Sequence, residues 1–109
     1  MKKSNTLTVE TMWGDYPNCH VKFNRYYADD SLCIDLWNDE DGAIAKLTVC
    51  LSEKKLKGTN RSYLDDNNCP WGEEFVEKYH LGKPVGIGFS GFCTYTLIER
   101  NMEELQKYM

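Results

Sequence analysis

The stretch Asn68-Cys69-Pro70-Trp71 opens the one long helical pattern in this chain, and Gly82 is the residue expected to end it. Pro70 suits the first helical position, where its missing N–H is not needed. Asn68 or Cys69 is placed to cap, and Glu73 and Glu74 fall in the first turn, where the helix dipole favours acids. Trp71, Phe75 and Tyr79 recur every fourth residue with Val76 beside them, which makes one apolar stripe. Pro84 keeps the helix from resuming. A helix with a single stripe must be covered by something else, and the rest of the chain offers mainly strands.

Leu32, Ile34 and Leu36 alternate with Cys33, Asp35 and Trp37, the clearest period-2 pattern in the sequence. Asp39-Glu40-Asp41-Gly42 closes a hairpin, and the return strand carries Ala43, Ala45, Leu47, Val49 and Leu51 on one face. Leu7 with Val9, and Val21 with Phe23, mark two earlier short strands. Gly, Asp, Pro and Asn cluster between Trp13 and Asn18, so that segment reads as a turn. Lys54, Lys55, Lys57 and Arg61 around Gly58 read as a long loop, with a short turn of helix or strand near Tyr63 and Leu64. Gly86, Gly88 and Gly91 read as a flexible connection, followed by a last strand over 92–97. Asn101 with Glu104 resembles a capping box, and Met102, Leu105 and Met109 suit a short C-terminal helix.

These elements predict an α+β fold: a single twisted antiparallel sheet of four or five strands, with the helix over 70–79 on one face and the short C-terminal helix beside it. The other face would carry Asp35, Trp37, Lys46 and Thr48, wet or in contact with a partner. One domain is expected from 109 residues, with a helical extension over 99–109. Hydrophobic residues make up 41% and aromatics 13%, which argues against disorder. The formal net charge of -4 disfavours direct binding to duplex DNA and leaves contact with a basic surface open. No apolar run approaches the ~20 residues of a membrane span, and no apolar segment follows Lys2 and Lys3 as a secretory signal would. The five widely spaced cysteines, Cys19, Cys33, Cys50, Cys69 and Cys93, are expected to be reduced thiols in a cytoplasm.

Catalytic patterns are weak. His20 and His80 are the only histidines and no C-x-x-C spacing occurs, so no metal or other cofactor is expected. Cys69 sits where a helix N-terminus could stabilise a thiolate, but His80 lies about 16 Å away along the same helix, too far to serve as its base. Packing at the corner is the favoured role for this thiol. The glycines over 82–91 lack the phosphate-loop pattern and precede a strand instead of a helix. A weaker reading keeps Gly86, Gly88 and Ser90 as a cradle for a small ligand or signal nucleotide, with Trp71 or Tyr95 as stacking surfaces.

Asp29, Asp30, Asp35, Asp39, Glu40 and Asp41 place six acids within thirteen residues, with no basic residue among them. They lie in turns and on a strand face, unlike the buried acid of a glycosidase pair. Two readings stay open. The acids can be a solvated edge that discourages strand pairing, or a docking surface for a basic groove. Trp37 sharpens the second reading, because tryptophan is enriched at interface hot spots. Trp13 and Tyr16 in the early turn either fold onto the core edge or anchor a partner.

Two stretches carry a resemblance. One runs through Tyr27-Ala28, Leu32-Cys33-Ile34-Asp35-Leu36-Trp37 and Ala45-Lys46-Leu47-Thr48-Val49-Cys50-Leu51. The other joins Asn67-Asn68-Cys69-Pro70-Trp71, Glu74-Phe75 and Gly82-Lys83-Pro84 to Ser90-Gly91-Phe92-Cys93-Thr94-Tyr95. Over 26–97 the chain resembles a family of short bacterial proteins of unknown function, common in gut bacteria and on their plasmids, conjugative elements and phages. No catalytic residues are known for that family, so none carry over. Its members tend to end soon after the last strand, whereas this chain adds a C-terminal helix, and the N-terminal forty-odd residues match less well. The resemblance implies a non-catalytic protein of a mobile element. The expectation is an antagonist of host defence, an inhibitor of a CRISPR effector nuclease or its guide complex that presents Asp29, Asp30, Asp39, Glu40 and Asp41 to a basic channel. A ligand-sequestering protein, a plasmid maintenance or transfer accessory, and a homodimer are the alternatives.

Overall fold

The computed structural model describes residues 5–25, 32–51, 56 and 58–109. Asp29 and Asp30 of the acidic series, and Lys54, Lys55 and Lys57 of the basic loop, lie outside the described residues. In chain order the elements are β1 (Leu7–Thr11), β2 (Gly14–Arg25), β3 (Leu32–Asn38), β4 (Gly42–Lys46), β5 (Thr48–Val49), β6 (Arg61–Leu64), α1 (Gly72–Lys78), β7 (Gly82–Ser90), β8 (Cys93–Arg100) and α2 (Met102–Gln106). The α+β class holds, but the single sheet does not. Two four-stranded antiparallel sheets form, ordered β1-β2-β3-β4 and β5-β6-β8-β7.

The division occurs inside what the sequence suggests is one return strand. Leu47, fully buried, sits between β4 and β5 and bonds to both sheets. Its N–H donates to Ile34 O at 2.9 Å, and its carbonyl accepts from Asp65 N at 2.9 Å. Beyond it the chain leaves β3 and pairs with β6, Thr48 opposite Leu64 and Val49 opposite Tyr63. The abandoned Ile34 N–H is taken by Thr48 Oγ1 at 3.0 Å. Thr48, expected on a wet face, is therefore buried at the seam. An alternating pattern cannot show such a transfer, because both halves keep a period of 2.

The segment expected as a turn from Trp13 to Asn18 is strand. Only Met12 and Trp13 lie outside β1 and β2, and Thr11 Oγ1 braces them by accepting from Trp13 N at 3.1 Å and donating to Gly14 O at 2.8 Å. Pro17 and Asn18 form a bulge. The register shifts between Leu7↔Cys19 and Val9↔Tyr16, and Asn18 adopts φ +58°. Pairing of β2 with β3 starts only at His20, so the missing N–H of Pro17 breaks no ladder.

Helix α1 is shorter than its sequence pattern, and its ends differ from expectation. Trp71 occupies the N-cap without a side-chain hydrogen bond. Asn68 and Cys69 instead belong to a turn on Asp65: Asp65 O accepts from Cys69 N at 2.7 Å, and the Asp65 carboxylate accepts from Asn68 Nδ2 at 2.9 Å. At the other end His80, not Gly82, reverses the chain with φ +58°. His80 N donates to Glu77 O and Leu81 N to Val76 O, the paired bonds of a Schellman motif. Gly82 already opens β7.

The stripe packs as predicted. Phe75 and Val76 are buried, Trp71 and Tyr79 pack against the core, and the rings of Trp71, Phe75, Tyr79 and Tyr108 follow one another at 5.5, 5.2 and 5.8 Å. One cluster of buried residues draws on both sheets and both helices, among them Val9, Leu36, Leu64, Val76, Ile98 and Leu105. Asn101 caps α2 as expected, accepting from Glu104 N at 3.3 Å. Tyr108, not Met109, completes its apolar contact, and Tyr108 O accepts from Val21 N at 2.8 Å. The segment read as a flexible glycine connection is the strand β7. Gly88 is required there because the Tyr63 ring lies where a Cβ would be.

Candidate functional site

The first sheet exposes two separate turns. Because His20 pairs with Trp37, the turn after β3 lies beside Pro17 and Asn18, where Asp39 and Glu40 border a hollow with Thr6 and His20, while the β1–β2 turn lies further along β2. Asp39, Glu40 and Asp41 are exposed in the first of these turns, while Met12 and Trp13 are 80% and 84% exposed in the second. Glu10 and Asp15, paired across β1 and β2, are exposed beside Met12 and Trp13. Asn38, buried behind the acidic turn, holds it in place. Its Oδ1 accepts from Asp41 N at 2.6 Å, and its Nδ2 donates to Asp41 Oδ2 at 3.2 Å and to Pro17 O at 3.3 Å. The turn is thus anchored to the β2 bulge through Asn38, which also holds the Asp41 carboxylate.

The aromatic part is larger than the sequence suggests. Trp13 and Tyr16 line a hollow of about 170 Å³ together with Met12, Pro70 and Trp71. Trp71, expected as a stacking surface for the glycine segment, sits instead beside the β1–β2 hairpin. Lys78 reaches the same hairpin, 3.2 Å from Glu10 in an exposed pair of the kind that contributes little stability. No local signal links the Asn-Cys-Pro-Trp corner to residues 11–16; the approach is purely tertiary.

Asp35 and Trp37 are separate from these turns. Asp35 stands opposite Lys22 and Lys46 and accepts from Asn24 Nδ2 at 2.5 Å, so its charge is offset within the sheet face. Trp37 tilts against His20 with ring centroids 5.0 Å apart. Trp37, Phe23, Ile44 and Met109 line an open groove of about 730 Å³ on this face.

Cys69 is a packing residue at the corner. It is 3% exposed, and its thiol donates to Lys46 O at 3.4 Å. Burial, followed by the nearby Asp65 and Asp66 carboxylates, pushes it up to about 11. A nucleophile needs the opposite shift. Among the described residues no group of three or more His, Cys, Asp or Glu side chains is arranged to hold a metal ion. No helix among them is long and apolar enough to cross a membrane.

Gly86, Gly88 and Ser90 belong to β7, with Tyr95 directly opposite Gly88 on β8. Here β7 and β8 form an arm whose exposed side chains the sequence reading passed over: Ile87 at 65%, Phe89 at 67% and Phe92 at 109%. Their alternation with glycine is the sequence signal of this strand. Asp66 braces the arm, its Oδ2 accepting from Thr96 N at 2.7 Å and from Thr96 Oγ1 at 2.8 Å. Arg100, also not anticipated, is buried and donates to Thr59 O and Arg61 O; burial lowers its pKa.

No curated protein and no solved structure matches this chain. A family model described as a domain of unknown function, DUF4313, matches residues 20–109, a span that includes α1, the β7–β8 arm and the C-terminal helix. The chain belongs to that uncharacterised family.

Proposed function

We propose that this protein is a non-catalytic binding protein that uses the exposed turns of its first sheet to occupy a basic nucleic-acid-binding surface, most specifically as an antagonist of host defence that inhibits a CRISPR effector nuclease. The observation that carries the reading is the exposed series Asp39, Glu40 and Asp41 on a turn braced by Asn38, in a sheet whose β1–β2 turn separately exposes Met12 and Trp13. Exposed carboxylates on a braced turn complement a lysine- and arginine-lined channel and speed encounter with it, while the exposed Trp13 of the same sheet supplies an apolar anchor that charge alone lacks. The net charge of -4 acts in the same direction. The mobile-element setting comes from the resemblance and belongs to the proposal.

The test is binding and nuclease inhibition by recombinant protein against effectors from defence systems of its bacterial hosts. Inhibition should weaken steeply with added salt, as screened charges require. The variant Asp39→Lys/Glu40→Lys should reduce the association rate by at least tenfold, and Trp13→Ala should mainly raise the dissociation rate. An absence of binding and inhibition across those effectors, or inhibition indifferent to the charge reversal, would refute the proposal.

A further inference from the structure

The outer edge of β7 is unusually bare. It ends its sheet, so among the described residues one side of the strand has no neighbouring strand. The two-residue turn Gly91-Phe92, with Gly91 at φ +62°, closes the arm with Ser90 opposite Cys93. Antiparallel ladders alternate bonded and non-bonded pairs, so Ser90, Gly88 and Gly86 exchange bonds with β8 while Ile87 and Phe89 direct their N–H and C=O groups outward. Thr96, opposite Ile87, obeys the same alternation: its N–H turns away from β7 to Asp66. The inner half of the edge is guarded by Lys83, Pro84 and the bulge between Pro84 and Gly86. The outer half, 86–90, has no such protection among the described residues.

We propose that residues 86–90 of β7 pair antiparallel with the same residues of a second copy of this chain, joining two four-stranded sheets into one of eight strands. Gly86-Ile87-Gly88-Phe89-Ser90 reads small, apolar, glycine, apolar, small in both directions, which is the self-complementarity a two-fold interface requires. A two-fold axis at Gly88 sets Ile87 opposite the partner's Phe89, and Phe89 opposite the partner's Ile87. Those are the residues whose backbone groups face outward, so the two pairs exchange about four hydrogen bonds. No ionisable side chain lies between residues 84 and 92, so pairing desolvates no charge and brings no like charges together. A partner selected by charge would find nothing to read on this edge, whereas a second copy matches it in pattern and in bonding phase. The four exposed apolar side chains, Val85, Ile87, Phe89 and Phe92, offer on the order of 400 Å² per protomer. That is about half of what a standard stable interface buries, which places the dimer in the micromolar, reversible class.

Sedimentation equilibrium of the full chain from low micromolar to millimolar concentration should show a monomer–dimer equilibrium. Ile87→Lys and Phe89→Lys, both at exposed positions, should each weaken it at least tenfold while circular dichroism and Tm stay unchanged. Ile87→Cys/Phe89→Cys in a Cys93→Ser background should oxidise to a covalent dimer, with residue 87 linked to residue 89 of the partner subunit, because bonded pairs hold Cα atoms about 5.5 Å apart, within disulfide reach. A chain that stays monomeric at millimolar concentration overturns the proposal. So does a dimer indifferent to both lysine substitutions, or cross-links in another register.

Discussion

Replacing Thr48 by valine tests the seam between the two sheets with almost no change of shape. The Thr48 side chain is 3% exposed, and its Oγ1 accepts from Ile34 N at 3.0 Å. Ile34 is 1% exposed and its carbonyl already accepts from Leu47 N, so no water or neighbouring strand can replace the lost acceptor. A buried donor left unpaired costs about 1–3 kcal/mol. Valine returns part of that through its extra methyl, roughly 0.8 kcal/mol, and through its preference for strands. The net expectation is a loss of about 1–2 kcal/mol, equivalent to roughly 4–12 °C in Tm for a chain of this size. Urea unfolding should show a lower midpoint at an unchanged m-value, because the surface exposed on unfolding is the same. Thr48→Ser keeps the hydroxyl and should recover most of the hydrogen-bond term. Amide exchange should quicken at Ile34 in the valine variant before it does elsewhere. A valine variant as stable as the parent, or a serine variant destabilised more than valine, would refute this account of how the chain moves between sheets.

Two further expectations concern the ends of α1. His80 pays the steric cost of φ +58° at the position after the helix cap, so His80→Gly should stabilise the protein by about 0.5–1 kcal/mol, read from thermal or urea unfolding; a destabilised variant would contradict the Schellman assignment. The Cys69 thiol, pushed up to about 11 by burial and then by Asp65 and Asp66, is protonated in the folded state over a range where the unfolded thiol ionises. The folded state then binds more protons, so this contribution is complete below about pH 9 and falls away as pH rises toward 11, by up to about 3 kcal/mol. Cys69→Ala should flatten stability against pH in that window, and an unchanged slope would refute the assignment. Native protein at pH 8 should leave Cys69 unmodified by thiol reagents until it unfolds.

Local rules were sufficient where the determining interaction is local. The stripe of Trp71, Phe75 and Tyr79, the Asn101 cap and the turn before Gly42 depend on residues within one or two turns of each other, and all three form. Cys69 was also legible as packing, since nothing near it in sequence could act as its base. The glycine segment misled because glycine has two uses. Loop freedom was assumed, whereas Gly88 is selected by a tyrosine ring from β6 resting on the strand. The turn expected between Trp13 and Asn18 misled in a related way: Pro17 and Asn18 are tolerated as a bulge because β3 does not pair alongside Pro17. Of the acidic series, Asp39, Glu40 and Asp41 lie together at the end of the sheet, while Asp35 is turned to the lysines on its face.

By itself the sequence determined which segments extend and which single helix has an apolar stripe, because periods of 2 and 3.6 are properties of neighbouring residues. It also determined the acidic balance and the family to which the chain belongs. Only the tertiary structure decided that the extended segments form two sheets, since the transfer at Leu47 depends on hydrogen bonds to Ile34 and Asp65. It likewise brought Trp71 beside Trp13 and Tyr16, residues that nothing nearby in the sequence connects. And it put β7 at the end of its sheet, with no further strand beside it among the described residues, a fact about the order of strands that an alternating pattern of apolar residues and glycines cannot carry.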